Sequence, residues 1–155
     1  MSKYWLCPTS EENYKLTKKY NVIGVTPRKR KSLDKLQIGD MITFYISKET
    51  TERTSKPVRV IKGIAEVTSD TYIDNKEIWK PMKGNHFPYR KKIKFIKDNV
   101  AIPVKEVIYE LSYVKKLSKP QYWALPFKTG NIELTAEDWE LVKSKFNNKD
   151  TSYNK

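Results

Sequence analysis

Apolar and polar residues alternate most regularly over Met41–Lys48, where Ile42, Phe44 and Ile46 interleave with Thr43, Tyr45 and Ser47. A period of two puts the first set on one face and predicts a half-buried strand. Gly39-Asp40 supplies the turn before it. Pro57–Val67 is a second β run, carrying Val58, Val60, Ile61, Ile64 and Val67. Gly63 lies in its middle, where a bulge that curls the sheet toward a barrel is expected. Over residues 87–97, Ile93 and Phe95 alternate with Lys92 and Lys94, one side core and the other cationic. Two short apolar runs precede these strands. Tyr4-Trp5-Leu6-Cys7 is ended by Pro8, and Asn21-Val22-Ile23-Gly24-Val25 by Pro27.

Between the two short runs the pattern changes to helical. Ser10 is placed to cap, Glu11 and Glu12 suit the positive end of the helix dipole, and Lys18 and Lys19 the negative end. Leu16 and Tyr20, four apart, are expected against the core. Residues 32–36 predict a single turn, and residues 104–111 a short helix with Val107, Ile108 and Leu111 as its stripe. Residues 122–127, interrupted by Pro126, read as an extended edge segment. Thr135 and Asp138 form a capping-box-like pair. The helix they open presents Trp139, Val142 and Phe146 to the core, and a polar tail is expected from residue 147 on.

Residues 48–56 form a polar loop. Residues 69–86 are a long connection holding Ile78-Trp79-Lys80-Pro81 and Gly84-Asn85-His86. Connections of that length are functional or disordered, and the isoleucine–tryptophan pair argues for function. No repeat or internal boundary is visible. The pattern predicts one α+β domain over residues 1–148 with a curled or barrel-like sheet, and a polar tail at 149–155.

Charge changes this picture more than composition does. In 155 residues, 31 Lys and Arg against 18 Asp and Glu leave +13, a surplus that attracts polyanions. It is densest at Arg28, Lys29, Arg30 and Lys31, directly after the second apolar run. An apolar floor beside a cationic rim suits a planar base whose phosphates are gripped at the edge. Taken alone, the same stretch also reads as a buried strand and a solvated lysine-rich loop. A single cysteine, Cys7, excludes an internal disulfide, fits a reducing compartment and reads as a buried inert thiol. No stretch approaches the ~18 apolar residues of a membrane span, and no signal-peptide pattern opens the chain. A cytoplasmic monomer without membrane contact is expected.

The chemistry of enzymes is hard to find. One histidine, His86, leaves no Ser-His-Asp, Cys-His or histidine–metal set. Gly-rich phosphate and dinucleotide fingerprints are missing, and the acidic residues are scattered. Neither catalytic residues nor metal ligands are nominated, and no cofactor is expected.

In order, the motifs Tyr4-Trp5-Leu6-Cys7, Glu12-Asn13, Asn21-Val22-Ile23-Gly24-Val25, Ile38-Gly39-Asp40, Phe44-Tyr45 and Gly63-Ile64-Ala65-Glu66-Val67 resemble the EVE domain family. Ile78-Trp79-Lys80-Pro81, Phe87-Pro88-Tyr89-Arg90 and the segment from Lys119 to Trp123 continue the likeness, which spans residues 3–146. The family belongs to the PUA-like superfamily and is similar to the YTH readers of methylated adenine. The resemblance implies a curved mixed sheet forming a partial barrel flanked by helices. It further implies a pocket for one modified base in DNA or RNA. In it Trp79 is one wall, Thr9 and Asn13 contact the base edge, and Gly24 allows close approach. Phe87 or His86 supplies another wall, and Trp123 borders the mouth. Ile23 stands where the relatives usually carry tryptophan, which removes a cation–π wall but keeps an apolar one. Arg28, Lys29, Arg30 and Lys31 would hold phosphate. The leading expectation is a non-catalytic modified-base reader. The alternatives are an unspecific nucleic-acid-binding accessory and a base-processing hydrolase.

Overall fold

The computed structural model describes residues 2–153, and side chains through residue 148. Strands β1 (Tyr4–Thr9), β2 (Val22–Val25), β3 (Met41–Lys48), β4 (Pro57–Val67), β5 (Tyr72–Ile73), β6 (Tyr89–Pro103) and β7 (Ile132–Leu134) form one sheet. Their order is β2-β6-β4-β3-β1-β7, with β5 paired to the start of β6. β1 and β3 run parallel, Tyr4 opposite Met41, and the other pairs are antiparallel. Helices α1 (Glu11–Tyr20), α2 (Arg30–Asp34), α3 (Ser112–Lys115) and α4 (Ala136–Tyr153) flank it. This is the curled half-barrel that the resemblance implies.

The curl begins where the glycine pattern predicts it. Gly63 sits at φ +73°, and the β4–β6 register slips between Lys62 and Ile64 and again before Ala65. A Cβ at Gly63 would strike the Tyr14 hydroxyl. That hydroxyl donates to Asp98 O at 3.2 Å, so the bulge also seats α1 on the sheet. Pro8 lies inside β1 rather than ending it. β7 pairs only with Tyr4, Trp5 and Leu6, so Pro8 meets an open edge where its missing N–H costs nothing.

Met41–Lys48 is buried on both faces, not one. Ile42, Phe44 and Ile46 join Trp5, Cys7, Tyr14, Ile23 and Leu33 in one cluster. Tyr45 joins Leu6, Trp139, Val142 and Phe146 in the other. Helices cover both sides of the sheet, which the alternation of a single strand cannot reveal. In α1 the stripe facing the core is Tyr14 and Thr17. Leu16 is half-buried and Tyr20 is 50% exposed, its ring 5.3 Å from Lys19 Nζ. The spacing of Leu16 and Tyr20 marked the neighbouring face.

Three further expectations change. The turn placed at residues 32–36 begins earlier, as a 3-10 turn Pro27–Lys29 that runs into α2. Residues 104–111 make two 3-10 turns, Val104–Glu106 and Ile108–Glu110, although Val107, Ile108 and Leu111 are buried as expected. β-branched residues at 104, 107 and 108 disfavour a continuous helix. Residues 122–127 are not extended: 3-10 turns Pro120–Tyr122 and Leu125–Thr129 fill the segment, with each proline in a first turn where no N–H is needed. β5 and β7 are too short to carry a period and were missed. At α4 the capping box is complete: Asp138 N donates to Thr135 Oγ1 and Thr135 N to Asp138 Oδ2, both at 3.1 Å. The helix runs past residue 147 to Tyr153; residues 154–155 of the expected tail, like Met1, lie outside the described residues.

Candidate functional site

β1 ends and α1 begins at one corner of the sheet. Ser10 there adopts an extended conformation, and its hydroxyl accepts from Asn13 N at 3.2 Å. The cap fixes the first turn and points it into a cleft of about 1330 Å³. Such a volume exceeds the roughly 300–1,000 Å³ of a small-molecule pocket and suits a longer ligand. Asn13 lines the cleft at only 8% exposure, and its side-chain amide has no hydrogen-bond partner among the described residues. The residue is buried but the amide itself is not sealed off, and an amide left open in this way keeps its donors and acceptor for something else. Thr9 lies beside it on the cleft wall.

A second part of the lining comes from the long connection, which is ordered by one arginine. Arg90, at the start of β6, is almost wholly buried. Its Nε donates to Phe87 O at 3.0 Å, a terminal nitrogen donates to Lys76 O, and another lies 3.3 Å from Asp74 Oδ2. Its guanidinium carbon is 5.3 Å from the centre of the Trp79 ring. Arg90 pairs with Gly24 across β2 and β6, and the indole occupies the space beside that glycine. A Cβ there would come within 2.7 Å of Trp79 Cη2. The freedom at Gly24 is therefore taken up by tryptophan. Trp79 is 3% exposed and tilted against Phe87 with centroids 5.6 Å apart; both line the cleft, as does Ile23.

The basic run divides. Arg28 and Lys29 line the cleft, whereas Arg30 and Lys31 do not. Helical winding turns successive residues by about 100°, so four neighbours cannot face one way. Arg30 lies over Tyr89, 4.6 Å from its centroid, and pairs with Asp34 at 3.4 Å. Lys29 Nζ donates to Phe127 O at 3.4 Å, tying this rim to the lip formed by Leu125–Thr129. Burial, and then the charge of Arg28, hold its pKa below the usual lysine value.

Sequence reasoning missed Lys48, Arg53, Lys83 and Lys128, which join Arg28 and Lys29 around the cleft; Glu52 is the carboxylate among its lining residues. Lys83 arrives on a tight hairpin. Met82 and Asn85 exchange backbone hydrogen bonds at 2.9 Å, and Lys83 and Gly84 have φ +52° and +79°. Those are the two left-handed positions of a type I′ turn, and Lys-Gly was the signal that could have found it. Two nominated residues stand elsewhere. His86 is exposed and 3.9 Å from Glu77, off the main cleft. Trp123 packs edge-on to Tyr45 at 5.4 Å, while its neighbours Ala124 and Phe127 reach the cleft.

Among the described residues no group of three His, Cys, Asp or Glu could hold a metal ion, and no helix is long and apolar enough to cross a membrane. Cys7 lies in the cleft floor, and burial pushes its pKa up, which keeps the thiol protonated and unreactive.

A model of the EVE domain matches residues 3–145. The UPF0310 protein PH1033 of Pyrococcus horikoshii is 34% identical over 143 residues, covering 90% of this chain and 96% of that protein. PYRAB08750 of Pyrococcus abyssi, also a UPF0310 protein, is 33% identical, with 91% and 97% covered. Among solved structures, the YTH domain of Zygosaccharomyces rouxii MRB1 in complex with N6-methyladenosine RNA superposes with a TM-score of 0.64. It is 16% identical, with 94% of this chain and 86% of that one covered. A hypothetical protein from Leishmania major gives 0.63 at 16% identity, covering 97% and 98%. At such identities the likeness is one of fold.

Proposed function

We propose that this chain, which belongs to the EVE domain family, is a non-catalytic nucleic-acid-binding domain that seats one modified base, acting as a monomer. The observation that carries the reading is that the open amide of Asn13 lines one cleft together with Ile23, Trp79 and Phe87, with cations among the other lining residues. Apolar walls take the base by stacking and area, worth about 1–3 kcal/mol. The amide reads its edge, and Arg28, Lys29, Lys48, Arg53, Lys83 and Lys128 grip phosphates without regard to sequence. The related fold that was solved with N6-methyladenosine RNA makes RNA the first polymer to try and DNA the second.

Titration of short oligonucleotides carrying methylated adenine or cytosine against unmodified strands tests this. A modified strand is expected to bind about tenfold more tightly or better, and Trp79→Ala to erase the difference. Equal affinity for every strand would overturn base reading. One feature favours a second reading, unspecific polyanion binding: the indole is 3% exposed and already packed by Phe87 and Arg90. On that reading Trp79→Ala changes little. Each rim lysine removed then lowers the slope of log affinity against log salt by about one, whatever the base.

A further inference from the structure

Within the base-reading function just proposed, we infer that the cleft selects an electrically neutral modified base and rejects a cationic one, with Arg90 setting that preference at Trp79. An indole attracts a cation through the negative face of its π-system. Here the attraction is already engaged: the Arg90 guanidinium lies 5.3 Å from the ring centre, and Arg90 itself is not among the residues lining the cleft. Trp79 lines the cleft and Arg90 does not, so the guanidinium engages the ring from outside the set of residues that a ligand would meet. A second cation brought to that ring meets a quadrupole in use and a like charge beside it. The partners of Arg90 relieve this only in part. Phe87 O and Lys76 O are neutral, and the side chain of Asp74 is 44% exposed, so water screens it.

The rest of the cleft agrees. Ile23 offers area but no quadrupole. Asn13 offers a neutral amide suited to a neutral edge. Six basic side chains line the space (Arg28, Lys29, Lys48, Arg53, Lys83 and Lys128) against the single carboxylate of Glu52. A base methylated on carbon or on its exocyclic amine stays neutral and loses nothing in such a field. A base quaternised at a ring nitrogen carries a positive charge into it.

The test uses the full chain and two panels of short single strands. One panel holds 5-methylcytosine or N6-methyladenine. The other holds N3-methylcytosine, N1-methyladenine or N7-methylguanine, each beside a control of equal net charge with an aminoalkyl group on a flanking base. The expected result is tighter binding of a neutral member than of its unmodified strand, while every cationic member binds no better than its control. A cationic base bound above its control would overturn the selectivity and leave base reading intact. If neither panel departs from unmodified strands, base reading fails and this inference with it. Arg90→Gln should raise cationic over neutral binding roughly tenfold. Should that variant fold poorly, Lys83→Glu, on an exposed turn, places a carboxylate at the cleft and should move the same ratio in the same direction. An unchanged ratio in the variant that folds would overturn the electrostatic cause.

Discussion

The two ends of β1 treat a buried polar side chain in opposite ways. At its start, Asp40 is 2% exposed and its carboxylate is saturated, accepting from Lys3 N and Trp5 Nε1 at 3.0 Å and from Gln37 N at 2.9 Å. At its end, Asn13 is 8% exposed, and its amide, open at the cleft, has no hydrogen-bond partner among the described residues. A buried polar group with every bond made fixes the fold, because removing it strands its partners. One with bonds to spare adds little to the fold and keeps its hydrogen-bonding capacity for a ligand.

Substitution at the two ends separates these roles. Asp40→Ala orphans three donors, so denaturant unfolding should show a loss of about 3–5 kcal/mol while the folded fraction still distinguishes modified from unmodified strands. Asn13→Ala should do the reverse. The Ser10 cap uses the backbone N–H and survives, so stability should stay within about 0.5 kcal/mol while discrimination between bases falls about tenfold. Equal effects on folding at the two positions would dissolve the contrast.

The smallest expected effect sharpens the cleft end alone. Burial and the charge of Arg28 lower the pKa of Lys29, so it loses its charge below the usual lysine range as pH rises. A bound phosphate favours the protonated form, so binding takes up protons in that range and affinity falls as pH climbs toward the Lys29 pKa. Lys29→Arg, charged throughout, should flatten this limb by a few-fold in affinity measured as pH rises toward the usual lysine value.

Much of the fold was legible because its signals are local. The Ser10 cap, the Thr135–Asp138 box and the Gly63 bulge are each set by residues within a turn or two of one another, and the structure contains all three. Of the nominated site, Thr9, Asn13, Ile23, Gly24, Trp79 and Phe87 share one cleft with Arg28 and Lys29. Arg30, Lys31, His86 and Trp123 do not line it, since adjacency in sequence fixes neither the direction of a helical side chain nor the packing of a distant ring. The polar loop at residues 48–56 looked featureless because nothing within it marks the side that faces the cleft.

By itself the sequence determined an α+β domain with a bulged strand, a positive surplus and a short list of aromatic and amide candidates, since period, capping and charge act over a few residues. The tertiary structure alone decided that the Trp79 indole fills the place of a Gly24 side chain with Arg90 beside it. It also decided that both faces of β3 are covered, and that rim cations from four separate segments meet around one open amide. Those contacts join parts of the chain far apart in sequence, and their geometry follows from how strands pair and helices dock.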